Sequence, residues 1–397
     1  MKWVSSFSYL PINYSVVLAE VKDQTQRVIF DNNLNGSRVR LRFSNRYSKN
    51  MLTLQRVTIG IAEGNCVKSV KEVTLKGDPV ICLEPGEECY SDEIELIAAA
   101  GNQIAVSTYV KETQPVGSIC ALWSQNGAGV SCSKSGDFTN GDSYEGVESK
   151  DIYEIIREDP NPVKGLFFYG FTGVQVLTED SVKTIAAFGD SITHMSYVTN
   201  ALYKRLFSAY PGKVTLLNRG IGGNRLLHDA TRVEMIPGHG SCFVEAGIKR
   251  FERDLFGEED VDTVLVLEGI NDIMHPIQFD IPDETVKPEE LEQGYKQIAA
   301  IAHRHGAKIF GATITPCGSS EYSHEWMKKF EEIRIEVNRR IRSGLDYDGF
   351  FDYDEAVRDE KRPGYMKENC HIWDGLHPND EGGARMVAQI DLKKLME

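Results

Sequence analysis

Across 397 residues, 44 Lys and Arg stand against 59 Asp and Glu, giving a formal net charge of -15 with 41% hydrophobic residues. A chain of this length exceeds what one hydrophobic core usually supports, so two domains are expected. The acidic balance repels phosphate backbones and anionic lipid surfaces, which argues against nucleic acid as a partner, and no run reaches the roughly 18 apolar residues that span a bilayer.

The opening segment MKWVSSFSYLPINY has a single Lys, no continuous apolar run and no small-residue cleavage site, so a cytoplasmic location is expected. From there to about residue 175 the pattern is that of strands. SRVRLRF (37–43) alternates polar and apolar residues, and LTLQRVTIGIA, KEVTLKG, EIELI and QIAVSTYV follow between turn residues. Short strands at regular spacing predict two packed antiparallel sheets, an all-β sandwich of jelly-roll type. Residues 126–150, rich in Gly, Ser and Asp, are expected to form a long irregular connection.

From about residue 181 apolar runs alternate with longer amphipathic segments, which predicts a parallel sheet flanked by helices. The strands are KTIAAF, KVTLLN, DTVLVLE and KIFGATIT. Helical spacing links Leu291, Tyr295, Ile298 and Ala302, and again Phe330, Ile333, Val337 and Ile341, as core-facing stripes. The expected domains are therefore 1–178, a β-sandwich, and 179–397, a three-layer α/β/α domain.

Three polar motifs begin where strand runs end: Gly189-Asp190-Ser191, Gly220 to Asn224, and Gly269-Ile270-Asn271-Asp272. In open α/β sheets ligands bind outside the carboxyl ends of the strands, so these loops are expected to converge. A serine hydroxyl needs a base and a group to orient it, and Asp374 three residues before His377 supplies both from one turn. The backbone N–H groups of Ser191 and Gly223 and the side-chain amide of Asn271 are candidate donors to an oxyanion. Glycine suits position 223 because it has no side chain to block an approach.

Gly189-Asp190-Ser191 with Ile192-Thr193, then Gly223, then Asn271, then Asp374 to His377 resemble the four ordered blocks of the SGNH (GDSL-like) hydrolases. The resemblance covers roughly residues 181 to 397. It implies a flavodoxin-like fold with Ser191 as nucleophile, His377 as base, Asp374 as its orienter, and Gly223 and Asn271 in the oxyanion hole. The β-rich first half is similar to the accessory sandwich of some bacterial members, several of which deacylate carbohydrates. One departure is Ile270, where many relatives carry a small or polar residue; its expected effect is on pocket shape.

Each motif alone has a structural explanation. Asp and Ser are favoured helix caps, Asp-x-x-His occurs in ordinary turns, and a Gly-rich stretch closes loops or cradles phosphate. Jointly and in order they favour a serine esterase acting on small acyl esters, O-acetyl groups on carbohydrate first, with a small molecule or oligosaccharide as partner. A lipase, lysophospholipase or thioesterase on the same fold, and a catalytically silent carbohydrate-binding protein, remain open.

No cofactor and no catalytic metal are expected, since no HExxH-like spacing occurs. Cys66, Cys82, Cys89, Cys120, Cys132, Cys242, Cys317 and Cys370 form no C-x-x-C pair, so free thiols are expected; a Cys120–Cys132 bridge stays open. His303 and His305 suit a helix end. His194, His228, His239 and His275 lie near the catalytic loops as secondary candidates. Trp123 and Trp373 are expected in the core, with Trp373 the better candidate for substrate contact.

Overall fold

The computed structural model describes residues 1–13, 19–124, 126–147, 165–230, 239–319 and 321–397. They divide into two compact units, the first built mainly from Met1–Val182 and the second mainly from Lys183–Arg205 and Phe243–Glu397.

The first unit is antiparallel. Its main strands are β1 (Lys2–Ser8), β2 (Gln24–Asp31), β3 (Gly36–Ser44), β4 (Arg56–Glu63), β5 (Cys66–Glu72), β6 (Ile94–Ala98), β7 (Gln103–Val110), β8 (Ser118–Leu122), β9 (Ala128–Ser133) and β10 (Leu166–Thr178). In one sheet the long β10 pairs with β1, β3 and β8, while β6 pairs with β3. In the other the order is β9-β2-β7-β4-β5.

The two-residue side-chain period explains β3: Val39, Leu41 and Phe43 are each 0% exposed, while its arginines point the other way. Across the sandwich Phe7 of β1 stacks on Phe30 of β2 with ring centroids 4.5 Å apart. Gln26 locks the same interface, accepting the Tyr169 N–H and donating to the Tyr169 carbonyl, both at 3.1 Å. Facing sheets with interdigitated inner side chains are what the strand alternation predicts.

Two local expectations need correction. The 126–150 stretch is not wholly irregular, since β9 pairs with β2 and buries Val130 and Cys132; small residues at its other positions hide the alternation. Residues 148–150 of that stretch lie outside the described residues. KEVTLKG is mostly a turn rather than a strand. The Asp92 carboxylate accepts the Thr74 hydroxyl at 2.6 Å and the N–H groups of Lys76 and Gly77, which ends β5 at Glu72.

A further sheet carries β11 (Lys183–Gly189), β12 (Val214–Gly220), β13 (Thr263–Leu267), β14 (Lys308–Ala312) and β15 (Gly349–Phe351) in the order β12-β11-β13-β14-β15. The pairings of β11 with β13, β13 with β14 and β14 with β15 are parallel. The accompanying helices are α1 (Ser191–His194), α2 (Tyr197–Ala209), α3 (Gly247–Phe256), α4 (Ile270–Gln278), α5 (Pro288–Arg304), α6 (His324–Arg342), α7 (Tyr353–Val357), α8 (Asp380–Ala388) and α9 (Leu392–Met396). The stripe on α5 is buried throughout, and α6 buries Phe330, Val337 and Ile341. Among the described residues no helix is long and apolar enough to cross a membrane.

Strand order 2-1-3-4-5 places the reversal of winding between the first and third strands of the sheet. That switch point opens a crevice beyond the carboxyl ends of β11 and β13, where Ser191 and Asn271 begin their helices.

Candidate active site

Ser191 opens α1 directly after β11, and Asp190 is its N-cap: the carboxylate accepts the Ile192 N–H at 2.8 Å. The first N–H groups of a helix have no intrahelical acceptor, so the Ser191 amide faces outward from the helix start. The Ser191 hydroxyl lies 2.8 Å from His377 Nε2, and His377 Nδ1 lies 2.6 Å from Asp374 Oδ2. These residues come from segments 186 positions apart in the chain.

The loop bearing Asp374 and His377 is fixed by its own backbone. The other Asp374 oxygen accepts the N–H groups of Leu376 and His377, both at 2.9 Å. Burial pushes this carboxyl up, but the His377 hydrogen bond, its charge and the two amides outweigh burial and hold Asp374 at about 2. Gly375 between them has φ +75, and a Cβ there would meet the Gly318 carbonyl at 2.5 Å, so only glycine turns the chain here. Asn379 anchors the far end, donating to the Asn369 and His371 carbonyls and accepting the Gly382 N–H as the cap of α8.

Gly223 has φ +71, and a Cβ would fall 2.2 Å from the Phe243 ring. Its loop is held by neighbours. The Asn224 amide donates to the carbonyls of Phe243 and Glu245, and Asp272 accepts the N–H groups of Leu226 and Leu227 at 2.6 and 2.9 Å. Asn271, 2% exposed, donates one amide hydrogen to the Asn224 carbonyl at 2.9 Å, which ties the second loop to the third. Ile270 is buried at the start of α4 and packs inward.

Asp190, Asp272 and Glu268 form a group of buried acids, of which the strand-end motifs named only the first two. Gly189 pairs with Leu267 across β11 and β13, so Asp190 and Glu268 follow at neighbouring positions, and both are buried. Burial pushes Asp190 up to about 7, Asp272 up to about 6 and Glu268 well above its ordinary value. The signal was present in DTVLVLE, where a Glu ends an otherwise apolar strand.

The raised Glu268 means the folded protein keeps a proton that the unfolded chain releases above its ordinary value of 4.5. Stability is then complete in acid and declines as pH rises through the folded value. Glu268→Gln removes this term. Thermal melts from about pH 5 to about pH 8 are expected to show the variant gaining on the wild type as pH rises; a constant difference contradicts the assignment.

The secondary histidines are placed differently from one another. His194 is buried, its Nδ1 accepts the Gly222 N–H at 3.0 Å, and burial lowers it to about 3, so it holds the loop as a neutral ring. His275 is buried against Phe243 and Phe279 and lowered likewise to about 3. His303 and His305 are exposed and face Asp348 and Glu252. His228 is half-buried, and the side chain of His239 lies outside what is described. Trp123 is half-buried, whereas Trp373, expected in the core, is 53% exposed. All eight cysteines are free. Among the described residues no three His, Cys, Asp or Glu side chains group as a metal site requires.

The model of the GDSL-like lipase/acylhydrolase family matches residues 187–385, which spans Ser191, Gly223, Asn271, Asp374 and His377. The chain belongs to this family. As a GDSL-like hydrolase it acts on ester bonds. No curated protein matches it. Solved structures similar to this hydrolase include an acetylxylan esterase from Geobacillus stearothermophilus, 17% identical, covering 55% of this chain and 96% of that one with a TM-score of 0.40. A GDSL-like lipase from Bacteroides thetaiotaomicron is 18% identical over 54% of this chain and 87% of that one, TM-score 0.37. A carbohydrate acetylesterase from Sinorhizobium meliloti is 15% identical over 51% and 94%, TM-score 0.37.

Proposed function

We propose that this GDSL-like hydrolase removes small acyl groups, O-acetyl groups on carbohydrate first, through an acyl-Ser191 intermediate. The observation that carries the reading is the unbroken hydrogen-bond chain from Asp374 through His377 to the Ser191 hydroxyl. In this reading His377 Nε2 takes the serine proton as Oγ attacks the ester carbon. The resulting oxyanion is met by the N–H groups of Ser191 and Gly223 and the free hydrogen of the Asn271 amide. Collapse expels the alcohol, which leaves with the proton from His377. Water, activated by the same imidazole, then attacks the acyl-enzyme and frees the acid and the serine.

Two side chains support a small acyl group on a sugar. The Phe243 ring lies against Gly223 and limits the space beside the proposed oxyanion. The exposed indole of Trp373, next to Asp374, offers an apolar face of the kind that sugar rings stack on. The proposed division of labour assigns hydrolysis to residues 179–397 and an accessory role to the sandwich, 1–178.

A panel of p-nitrophenyl esters of increasing chain length beside acetylated oligosaccharides tests the substrate. Acetyl is expected to exceed octanoyl in kcat/KM by at least about 10-fold, the discrimination that a pocket achieves against surplus methylenes. Preference for the long chain would overturn the small-acyl reading and assign a lipase.

A further inference from the structure

Arg250, on α3, is fully buried and no step of the proposed mechanism uses it. Its guanidinium reaches all three loops. Nη2 donates to the carbonyl of Gly189 at 2.9 Å, two residues before Ser191. Nε donates to Asn224 Oδ1 at 2.7 Å, beside Gly223, and the carbonyl of that same Asn224 receives the Asn271 amide. Nη2 also stands 3.6 Å from Glu268, which leads into Gly269 and α4. Nη1 closes the set on the Arg219 carbonyl of β12 and on Asp254, and the guanidinium lies 3.9 Å over the Phe188 ring.

Burying a guanidinium is costly, and an apolar side chain of similar volume would often serve stability as well. What an apolar residue lacks is a rigid fork of donors that fixes several backbone strands at set distances. We infer that Arg250 is a positioning residue for this hydrolase: it holds the loops of Ser191, Gly223 and Asn271 in register so that their donors meet at one point. The inference rests on the reading of the site proposed above.

The test compares Arg250→Lys with Arg334→Lys. Arg334 is also buried but bonds Glu331, Asp354 and the Ile314 carbonyl, none of which belongs to the three loops, so it controls for the loss of a buried arginine. Lysine keeps the charge but concentrates its donors on one nitrogen, which cannot reach the Gly189, Asn224 and Arg219 acceptors together. Per folded molecule, Arg250→Lys is expected to lower kcat for p-nitrophenyl acetate by about 10²-fold, with KM changed less than about three-fold. Affinity for a boronic acid, which mimics the tetrahedral intermediate, is expected to fall with kcat.

Arg334→Lys is expected to lower Tm while kcat per folded molecule stays within about three-fold. Three results overturn the inference: an Arg250→Lys kcat within about three-fold of wild type, a loss that merely follows the unfolded fraction, or failure of that variant to fold by circular dichroism. Ser191→Ala, assayed beside them, separates the two levels. If it is inert while Arg250→Lys is fully active, only the positioning role falls; if it retains full activity, the reading of the site falls first.

Discussion

Ser191→Ala is expected to reduce kcat for a p-nitrophenyl ester by roughly 10⁶-fold, the scale seen when a serine hydrolase loses its nucleophile. The Ser191 hydroxyl stands 2.8 Å from Nε2 of an imidazole whose other nitrogen is already engaged by a carboxylate. Alanine removes one oxygen at a half-buried position and leaves the Asp190 cap and the strand beneath intact, so Tm is expected to stay close to wild type. Residual turnover then measures what the loop donors achieve with water alone. Steady-state assays with an active-site titrant check the value, and wild-type rates in the variant would dismiss Ser191.

Asp374→Asn is expected to lower kcat by about 10⁴-fold with little change in KM. The carboxylate holds His377 Nδ1 as the donor, which leaves Nε2 free to accept the serine proton. An asparagine amide turned toward Nδ1 would instead favour the opposite tautomer, and Nε2 would carry a hydrogen toward Ser191. Because Asp374 is held at about 2, it stays charged wherever the protein is assayed. A variant that keeps more than about a tenth of wild-type kcat would show that orientation of the ring matters less than argued.

The architecture was largely legible because both units obey simple periods. Alternation announced β3, and the apolar runs of β11, β12 and β13 fell within a residue or two of their ends, whereas the run of β14 was read three residues past Ala312. Misreadings arose where composition masked pattern. In β9 small residues diluted the alternation, and in KEVTLKG a distant Asp92 decided that a β-rich segment would turn.

The three motifs at strand ends and the Asp374–His377 turn were also visible, because each loop carries a local demand of its own. Gly223 and Gly375 sit at positive φ, and Asp190 caps a helix. Arg250 and Glu268 escaped notice for the opposite reason. Their significance depends on which carbonyls lie opposite them across the sheet, and no local pattern encodes that.

The outward position of Trp373 has a practical corollary. Among the described residues it is the tryptophan with more than half its surface open to water, whereas Trp326 is buried in a stack with Tyr322 and Phe330. Solvent quenchers such as iodide therefore sample this indole preferentially, and its emission is an optical gauge of whatever shields it. Comparison with Trp373→Phe isolates that signal, so whatever covers this indole can be followed without turnover.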